Sequence, residues 1–155
     1  MTLLALIIAA PLLAGLAALV LRRAPEAIAL TGIGIGLAAA LALLAGTFGG
    51  NAAQLVLPGL PRMPLILSAE PLTAVFAALV AIVAFGVLVY AAGYMRADPD
   101  RPRFFGTVLL FVAAMQALVL AGDWITLLAA WELIGFSSYL LIGFWHGRAG
   151  VPGAA

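Results

Sequence analysis

Apolar runs long enough to cross a lipid bilayer place the strongest constraint on this sequence. A hydrocarbon layer about 30 Å thick takes about 20 residues of helix to cross. Five such runs follow one another, over residues 3–21, 27–48, 70–95, 104–121 and 124–145. Only 8% of the 155 residues are charged, whereas soluble domains have about 25%. The sequence therefore predicts an all-α, multi-pass membrane protein with five transmembrane helices.

Polar segments between these runs divide the chain into four regions. We predict two N-terminal helices, an external hairpin, three further helices and a flexible tail, over residues 1–48, 49–69, 70–146 and 147–155. The hairpin segment has Pro and Gly residues at its centre, flanked by two short extended pieces at 54–57 and 65–67. This pattern is typical of a loose hairpin outside the membrane.

The distribution of Arg predicts the orientation of the chain. All seven basic residues are Arg, and the sequence contains no Lys. With the N-terminus outside, six of them lie in inside segments, at 22–23, 96–103 and 148, and only Arg62 lies outside. Cytoplasmic loops carry an excess of Lys and Arg. We therefore predict an external N-terminus, a cytoplasmic C-terminus, and Trp124 and Trp145 as interfacial anchors of the fifth helix.

Three polar residues have structural interpretations. Glu70 precedes Pro71 and is predicted to cap the third helix, where the helix dipole favours an acidic residue. Asp123 is a favourable N-cap for the fifth helix. Gln116 lies inside the fourth run and is predicted to form a hydrogen bond to another helix.

Gly32 and Gly36 are four residues apart in the second run. This spacing predicts a close contact with another helix. The surrounding glycine series lies in an apolar helix without a preceding strand, and a nucleotide-binding loop would need that strand. Helix packing is therefore the favoured interpretation.

One carboxylate lies inside the fifth run. Counted from Trp124 at about 1.5 Å per residue, Glu132 lies ~12 Å into the membrane. An ionised side chain at such a depth costs at least roughly 2.5 kcal/mol, so Glu132 is a candidate functional residue. A helical projection places Gly135, Tyr139 and Gly143 on the face of Glu132. We predict that this face packs against protein and that the two glycines permit a close approach.

Proton transfer is the function we predict for Glu132. Burial favours the neutral carboxyl group and a nearby cation favours the carboxylate, so a site that alternates between them can load and release a proton. Because every Arg lies at a membrane end, the cation must come from outside these helices. Ser138, Tyr139 and His146 are predicted to support the transfer. The alternatives are a protonated Glu132 that joins helices by hydrogen bonds, and a His146 that only terminates its helix.

Several kinds of site are excluded or unsupported. The chain has no Cys, which excludes disulfides and thiolate metal sites. His146 is the only His, so no His-based metal cluster can form within the chain. We predict no metal site, and the net charge of +1 does not point to nucleic acid.

Four segments resemble one family. In order and spacing, residues 93–95 (GYM), 103–105 (RFF), 118–121 (LVLA) and 131–145 (WELIGFSSYLLIGFW) are similar to the N-terminal part of the antiporter-like subunit L of NADH:quinone oxidoreductase. This subunit is the bacterial counterpart of chain 5 of respiratory complex I, and it is related to the large subunit of multisubunit Na⁺/H⁺ antiporters. The similarity covers residues 70–145, and residues 1–69 resemble the family only in pattern.

The resemblance implies a subunit of a proton-translocating complex in the bacterial inner membrane. It implies that Glu132 pairs with a lysine on a later helix, and that protons cross through a hydrated path at mid-membrane. It also implies other membrane subunits as partners, with NADH, flavin, iron–sulfur clusters and quinone bound elsewhere and no cofactor on this chain. The lysine-bearing helix is not among the five runs, so the chain is expected to be a fragment or one piece of a split subunit.

One departure from the resemblance keeps other assemblies open. Leu88 stands two residues before Tyr90, where many complex I members have His. The alternatives are a subunit of a multisubunit (Mrp-like) Na⁺/H⁺ antiporter, a hydrogenase-linked relative and a non-conducting fragment.

Overall fold

A computed structural model describes residues 1–50, 52–60 and 63–145. The elements follow the order α1 (Thr2–Leu21), α2 (Pro25–Phe48), β1 (Ala53–Leu60), β2 (Met63–Ala69), α3 (Pro71–Tyr94), α4 (Arg101–Val119) and α5 (Trp124–Ile142). All five helices are long and apolar enough to cross a membrane. The predicted all-α, multi-pass architecture is confirmed, including the hairpin between the second and third helices. His146 and the predicted tail lie outside the described residues.

Successive helices run in opposite directions, which gives the bundle two distinct ends. The hairpin end contains β1, β2 and the α4–α5 turn. The basic end contains the α1–α2 turn and the α3–α4 loop. Among the described residues, the basic end carries Arg22, Arg23, Arg96, Arg101 and Arg103.

Proline and acidic residues set the starts of the helices. Pro25 and Pro71 are the first residues of α2 and α3, where the missing N–H costs nothing. Thr73 Oγ1 accepts a hydrogen bond of 2.9 Å from the N–H of Glu70, the N-cap of α3. The predicted position of Glu70 at the helix start is confirmed. By contrast, α4 begins at Arg101, three residues before the start of the predicted run.

Glycines allow α1 to pack closely against α2 and α4. A Cβ atom on Gly32 would overlap Ala14 Cβ, and one on Gly36 would lie 3.5 Å from Pro11 Cδ. Both glycines of the predicted pair therefore face α1. A second crossing, which the sequence analysis missed, joins α1 to α4, because a Cβ on Gly106 would lie 3.1 Å from the Gly15 carbonyl oxygen.

A buried side-chain hydrogen bond joins α3 to α4. Gln116 is 1% exposed, and its Nε2 donates to the Ala77 carbonyl oxygen at 2.9 Å. The predicted interhelical hydrogen bond of Gln116 is confirmed. A polar group in a membrane core needs such a partner, since few other partners are available there.

The hairpin is more regular than the predicted loose loop. β1 and β2 pair antiparallel from Ala53↔Ala69 to Leu57↔Leu65, with an irregularity between Leu57 and Leu60. Pro58, which cannot donate to a strand ladder, lies in this irregular part. Leu67 and Ala69 are buried against α1, α2 and α3, so the hairpin covers the end of the bundle.

Gly32→Ala is expected to destabilise the bundle, because the added methyl group would overlap Ala14 Cβ and lie 3.0 Å from the Ala10 carbonyl oxygen. Overpacking of this kind costs about 1–3 kcal/mol. Gly34→Ala on the same helix is the matched control, since its Cβ would lie 4.0 Å from Phe85. Thermal unfolding followed by circular dichroism in detergent micelles should give a lower Tm for Gly32→Ala alone. Equal Tm values for the two variants would contradict the close α1–α2 contact.

Candidate functional site

Helix α5 carries the predicted proton-transfer residue and has one buried side. Its buried residues are Thr126, Ala130 and Ser137, which lie on one helical face. This face packs mainly against α4. Glu132 lies away from it and is exposed on the surface of the bundle. The described helices therefore do not provide the burial that the sequence predicted for Glu132.

The exposed side of α5 is mostly apolar and aromatic. We call it the outer face of α5 and define it by Leu128, Trp131, Glu132, Gly135, Phe136 and Tyr139. The side chains of Trp131, Phe136 and Tyr139 are 64%, 56% and 66% exposed. Glu132 thus stands as one carboxylate among large apolar groups at membrane depth.

The structure separates the predicted site residues into three groups. Glu132 and Tyr139 share the outer face, while Ser138 is half-buried and His146 lies outside the described residues. An added Cβ on Gly135 would meet open space, and one on Gly143 would approach Tyr139 of the same helix. Neither glycine makes the predicted contact with another helix in the part of the chain that the structure describes.

No positive charge compensates Glu132 within residues 1–50, 52–60 and 63–145. The one ion pair found there joins Arg101 to Glu26 at 3.7 Å, and it lies at the basic end. No group of three possible metal ligands occurs among the same residues.

The carboxylate of Asp123 ties the start of α5 to the hairpin. Its Oδ1 accepts from the N–H groups of Ile125 and Thr126 at 2.8 and 2.9 Å, which confirms the predicted N-cap. Its Oδ2 accepts from the Ile66 N–H at 2.8 Å and from the Thr126 hydroxyl at 2.6 Å. The link to Ile66 was not predicted, because the two residues are 57 positions apart and no local pattern connects them.

The other end of α5 is held by aromatic contacts. Trp145, which was predicted only as an interfacial anchor, donates from Nε1 to Asp98 Oδ2 at 3.1 Å. The guanidinium carbon of Arg103 lies over the Phe144 ring, 5.7 Å from its centroid. Both contacts join the end of α5 to the α3–α4 loop and to the start of α4. With both ends held, the direction of the outer face is fixed.

Comparison with known families identifies the relatives of this chain. The sequence model described as "NADH-Ubiquinone oxidoreductase (complex I), chain 5 N-terminus" matches residues 62–105. NADH-quinone oxidoreductase subunit L of Mycobacterium tuberculosis is 43% identical over 89 residues, which are 57% of this chain and 14% of that protein. Over these residues the chain is similar to subunit L. The resemblance found in the sequence is confirmed.

Two further relatives have different names. NAD(P)H-quinone oxidoreductase subunit 5 of the Paulinella chromatophora chromatophore is 35% identical over 140 residues, covering 87% of this chain and 21% of the relative. F(420)H(2) dehydrogenase subunit L of Methanosarcina mazei is 42% identical over 86 residues, which are 56% of this chain and 13% of that relative. The chain thus spans between 13% and 21% of the length of these three relatives.

A solved structure shares the fold. The membrane-bound sulfane sulfur reductase, an archaeal respiratory membrane complex, contains a chain that superposes with a TM-score of 0.79 at 22% identity. The match covers 90% of the present chain and 23% of the chain in that complex. In that protein, the matched region is one part of a longer chain.

Stability is expected to fall in acid as Asp123 becomes protonated. The hydrogen bond from the Thr126 side chain, followed by the N–H bond of Thr126, lowers the pKa of the Asp123 carboxyl below its ordinary value of 3.8, although partial burial opposes this. A lowered pKa in the folded state means that the stabilisation is complete above pH 3.8 and is lost as the pH falls through the folded pKa.

Thr126→Val tests this interaction and keeps the shape of the side chain. It removes the hydroxyl that donates to Asp123 and that also accepts from the Ile66 N–H at 2.8 Å. Thermal unfolding between pH 1.5 and pH 6 is expected to show a smaller acid-induced fall in Tm for Thr126→Val than for the wild type. In Asp123→Asn, the Tm should depend on pH even less than in Thr126→Val. A wild-type Tm that is flat across this range would contradict the role given to the carboxylate.

Proposed function

We propose that this chain forms the N-terminal part of a membrane subunit of a proton-translocating, complex I-like quinone oxidoreductase, in which Glu132 carries a proton. The observation that supports this most directly is the position of Glu132 on the outer face of α5 in a homologue of subunit L. An acidic side chain ~12 Å below the helix start is too costly to face lipid without a partner.

The outer face of α5 is the surface on which a further helix would pack. It exposes large side chains such as Trp131 and Phe136, and Gly135 offers open space for a close approach. Relatives extend far beyond the length of this chain. We propose that a helix from the rest of the subunit, or from a partner subunit, covers this face and presents a lysine to Glu132.

Such a partner would give Glu132 two states. A protonated lysine nearby stabilises the carboxylate, and loss or displacement of that charge favours the neutral carboxyl group. Glu132 then takes up a proton in one state and releases it in the other. Because both ends of α5 are held in place, the change of state acts on the proton and on water and not on the position of the helix.

The path from Glu132 is proposed to run towards the basic end. Tyr139 lies on the same outer face, seven residues and about 10 Å further along the helix. Its hydroxyl can donate and accept a hydrogen bond, as can the hydroxyl of Ser138 on the flank of the helix. His146 follows beyond the end of α5 and is the proposed exchange point with water on that side.

The partners in this proposal are other membrane subunits and redox subunits. NADH, flavin, iron–sulfur clusters and quinone would be bound by those subunits, and this chain would supply only the proton path. Relatives are named for different compounds, NADH in one case and F(420)H(2) in another. We therefore assign no electron donor to this chain.

Glu132→Gln in the assembled complex is expected to lower proton pumping at least about tenfold, because the amide cannot carry the proton. Glu70→Gln is the control, since Glu70 is an exposed helix N-cap at the hairpin end. Pumping would be followed with a pH-sensitive dye in inverted membrane vesicles while quinone reduction is measured in parallel. Wild-type pumping in Glu132→Gln would refute the proton role. Cation–proton exchange without quinone reduction would assign the chain to an antiporter instead.

The basic end is proposed to face the cytoplasm of a bacterial cell, as the excess of Arg there favours. Because the chain has no Cys, single cysteines can test this. With a membrane-impermeant maleimide, Gln54→Cys on the hairpin should be labelled in intact cells. Ala97→Cys in the α3–α4 loop should be labelled only after the membrane is opened. The reverse pattern would overturn the orientation.

A further inference from the structure

A small polar pocket lies at the basic end, between the end of α1 and the start of α4. Its volume is about 100 Å³. It is lined by Leu19, Arg22, Pro99, Asp100, Pro102 and Arg103. Arg22 follows the end of α1 and Arg103 lies in the first turn of α4. The fold, and not a local run of charge, therefore brings these two residues to one pocket. Arg23, the neighbour of Arg22, is not among the lining residues.

The lining residues match the charges of a zwitterionic headgroup. Two guanidinium groups are well suited to a phosphodiester, because each can donate paired N–H groups to phosphate oxygens. The guanidinium carbon of Arg103 lies over the Phe144 ring, and a guanidinium in contact with an aromatic ring can still donate hydrogen bonds from its N–H groups. The Asp100 carboxylate adds one negative charge beside these two positive charges. It favours a ligand that carries a positive, hydrogen-bonding group next to its phosphate.

An apolar helix surface continues from the pocket along α1. Leu19 is the lining residue within α1, and it packs directly on α4, because a Cβ on Gly106 would clash with it. Leu16 and Val20 on α1 are 52% and 78% exposed. A ligand in this place meets charged groups at the membrane boundary and an apolar helix surface beneath them. These surroundings fit a lipid better than a soluble anion.

We propose that this pocket binds the headgroup of phosphatidylethanolamine. The phosphate lies between Arg22 and Arg103, the ammonium group faces Asp100, and an acyl chain follows the exposed side of α1. Phosphatidylglycerol shares the phosphate but brings no positive charge to Asp100. Phosphatidylcholine has a positive charge but no N–H donor. Lipids with a second anionic group would place that group near the Asp100 carboxylate, and the repulsion between the two negative charges would weaken their binding.

Native mass spectrometry of the delipidated full chain in detergent tests the proposal. With phosphatidylethanolamine, phosphatidylglycerol and phosphatidylcholine added in equal amounts, retention of phosphatidylethanolamine is expected to exceed that of phosphatidylcholine about tenfold, as for a charge-assisted hydrogen bond. Arg22→Gln and Arg103→Gln should each lower its retention about fivefold, and the matched control Arg23→Gln should leave it unchanged. Asp100→Asn should remove the preference over phosphatidylcholine.

Three results would overturn the proposal. The first is equal loss of lipid in Arg23→Gln and Arg22→Gln, which would reveal a general effect of charge. The second is equal retention of the three lipids by the wild type. The third is displacement of the lipid by millimolar inorganic phosphate, which would identify a simple anion site. Arg103→Gln also loses the contact of Arg103 with Phe144 at the end of α5. Two controls therefore distinguish loss of the pocket from loss of the fold. Circular dichroism should show unchanged helix content in Arg103→Gln, and Arg103→Lys should retain part of the lipid.

Discussion

The hydrogen bonds of Asp123 hold the hairpin and the fifth helix in one arrangement. One carboxylate oxygen caps α5 through the N–H groups of Ile125 and Thr126, and the other accepts from the N–H of Ile66 in β2. The backbone adds to this link, because the Ile66 carbonyl accepts from the Gly122 N–H at 2.7 Å. Helix α5 packs mainly against α4, and these hydrogen bonds fix the position of its first turn. The rest of the site depends on this connection.

The position of Glu132 follows from how α5 is held. Asp123 fixes the start of the helix, and the Trp145–Asp98 hydrogen bond joins its other end to the α3–α4 loop. Between these points, one side of α5 packs against α4 and the other side carries Glu132. The bundle thus presents the carboxyl group outwards, on the face where the proposed lysine-bearing helix would pack. In the proposed function, the rigid hold on the helix suits a group whose charge changes while its position does not.

Much of the fold could be predicted from the sequence, because it follows from local physical rules. Run length and apolar composition predicted the five helices, and the cost of an unpaired amide in a membrane predicted the interhelical bond of Gln116. The four-residue spacing of Gly32 and Gly36 indicated a close contact. What was missed depends on residues far apart in the chain. Gly15 and Gly106 are single glycines with no spacing to mark them.

The site was predicted less completely for the same reason. Helical periodicity correctly grouped Glu132 with Tyr139, but it cannot tell whether a face meets another helix or lies open. Asp123 was recognised as a cap, because capping depends on the next three residues. Its hydrogen bond to Ile66 depends on how the hairpin folds back over the bundle. No local sequence pattern predicts that arrangement.

Strand β2 forms hydrogen bonds along both of its edges, with β1 on one side and with the α4–α5 turn on the other. This arrangement affects how readily two molecules can associate through their strands. An unpaired strand edge can recruit strands from other chains, which is a common route to aggregation. Ile66 and Ser68 in β2 use their outer edge to bond with residues 120–123, so this edge is closed. On β1, Pro58 and the irregular register interrupt the remaining edge. The end of the bundle that carries the hairpin is therefore poorly suited to adding strands, although its backbone lies outside the helices.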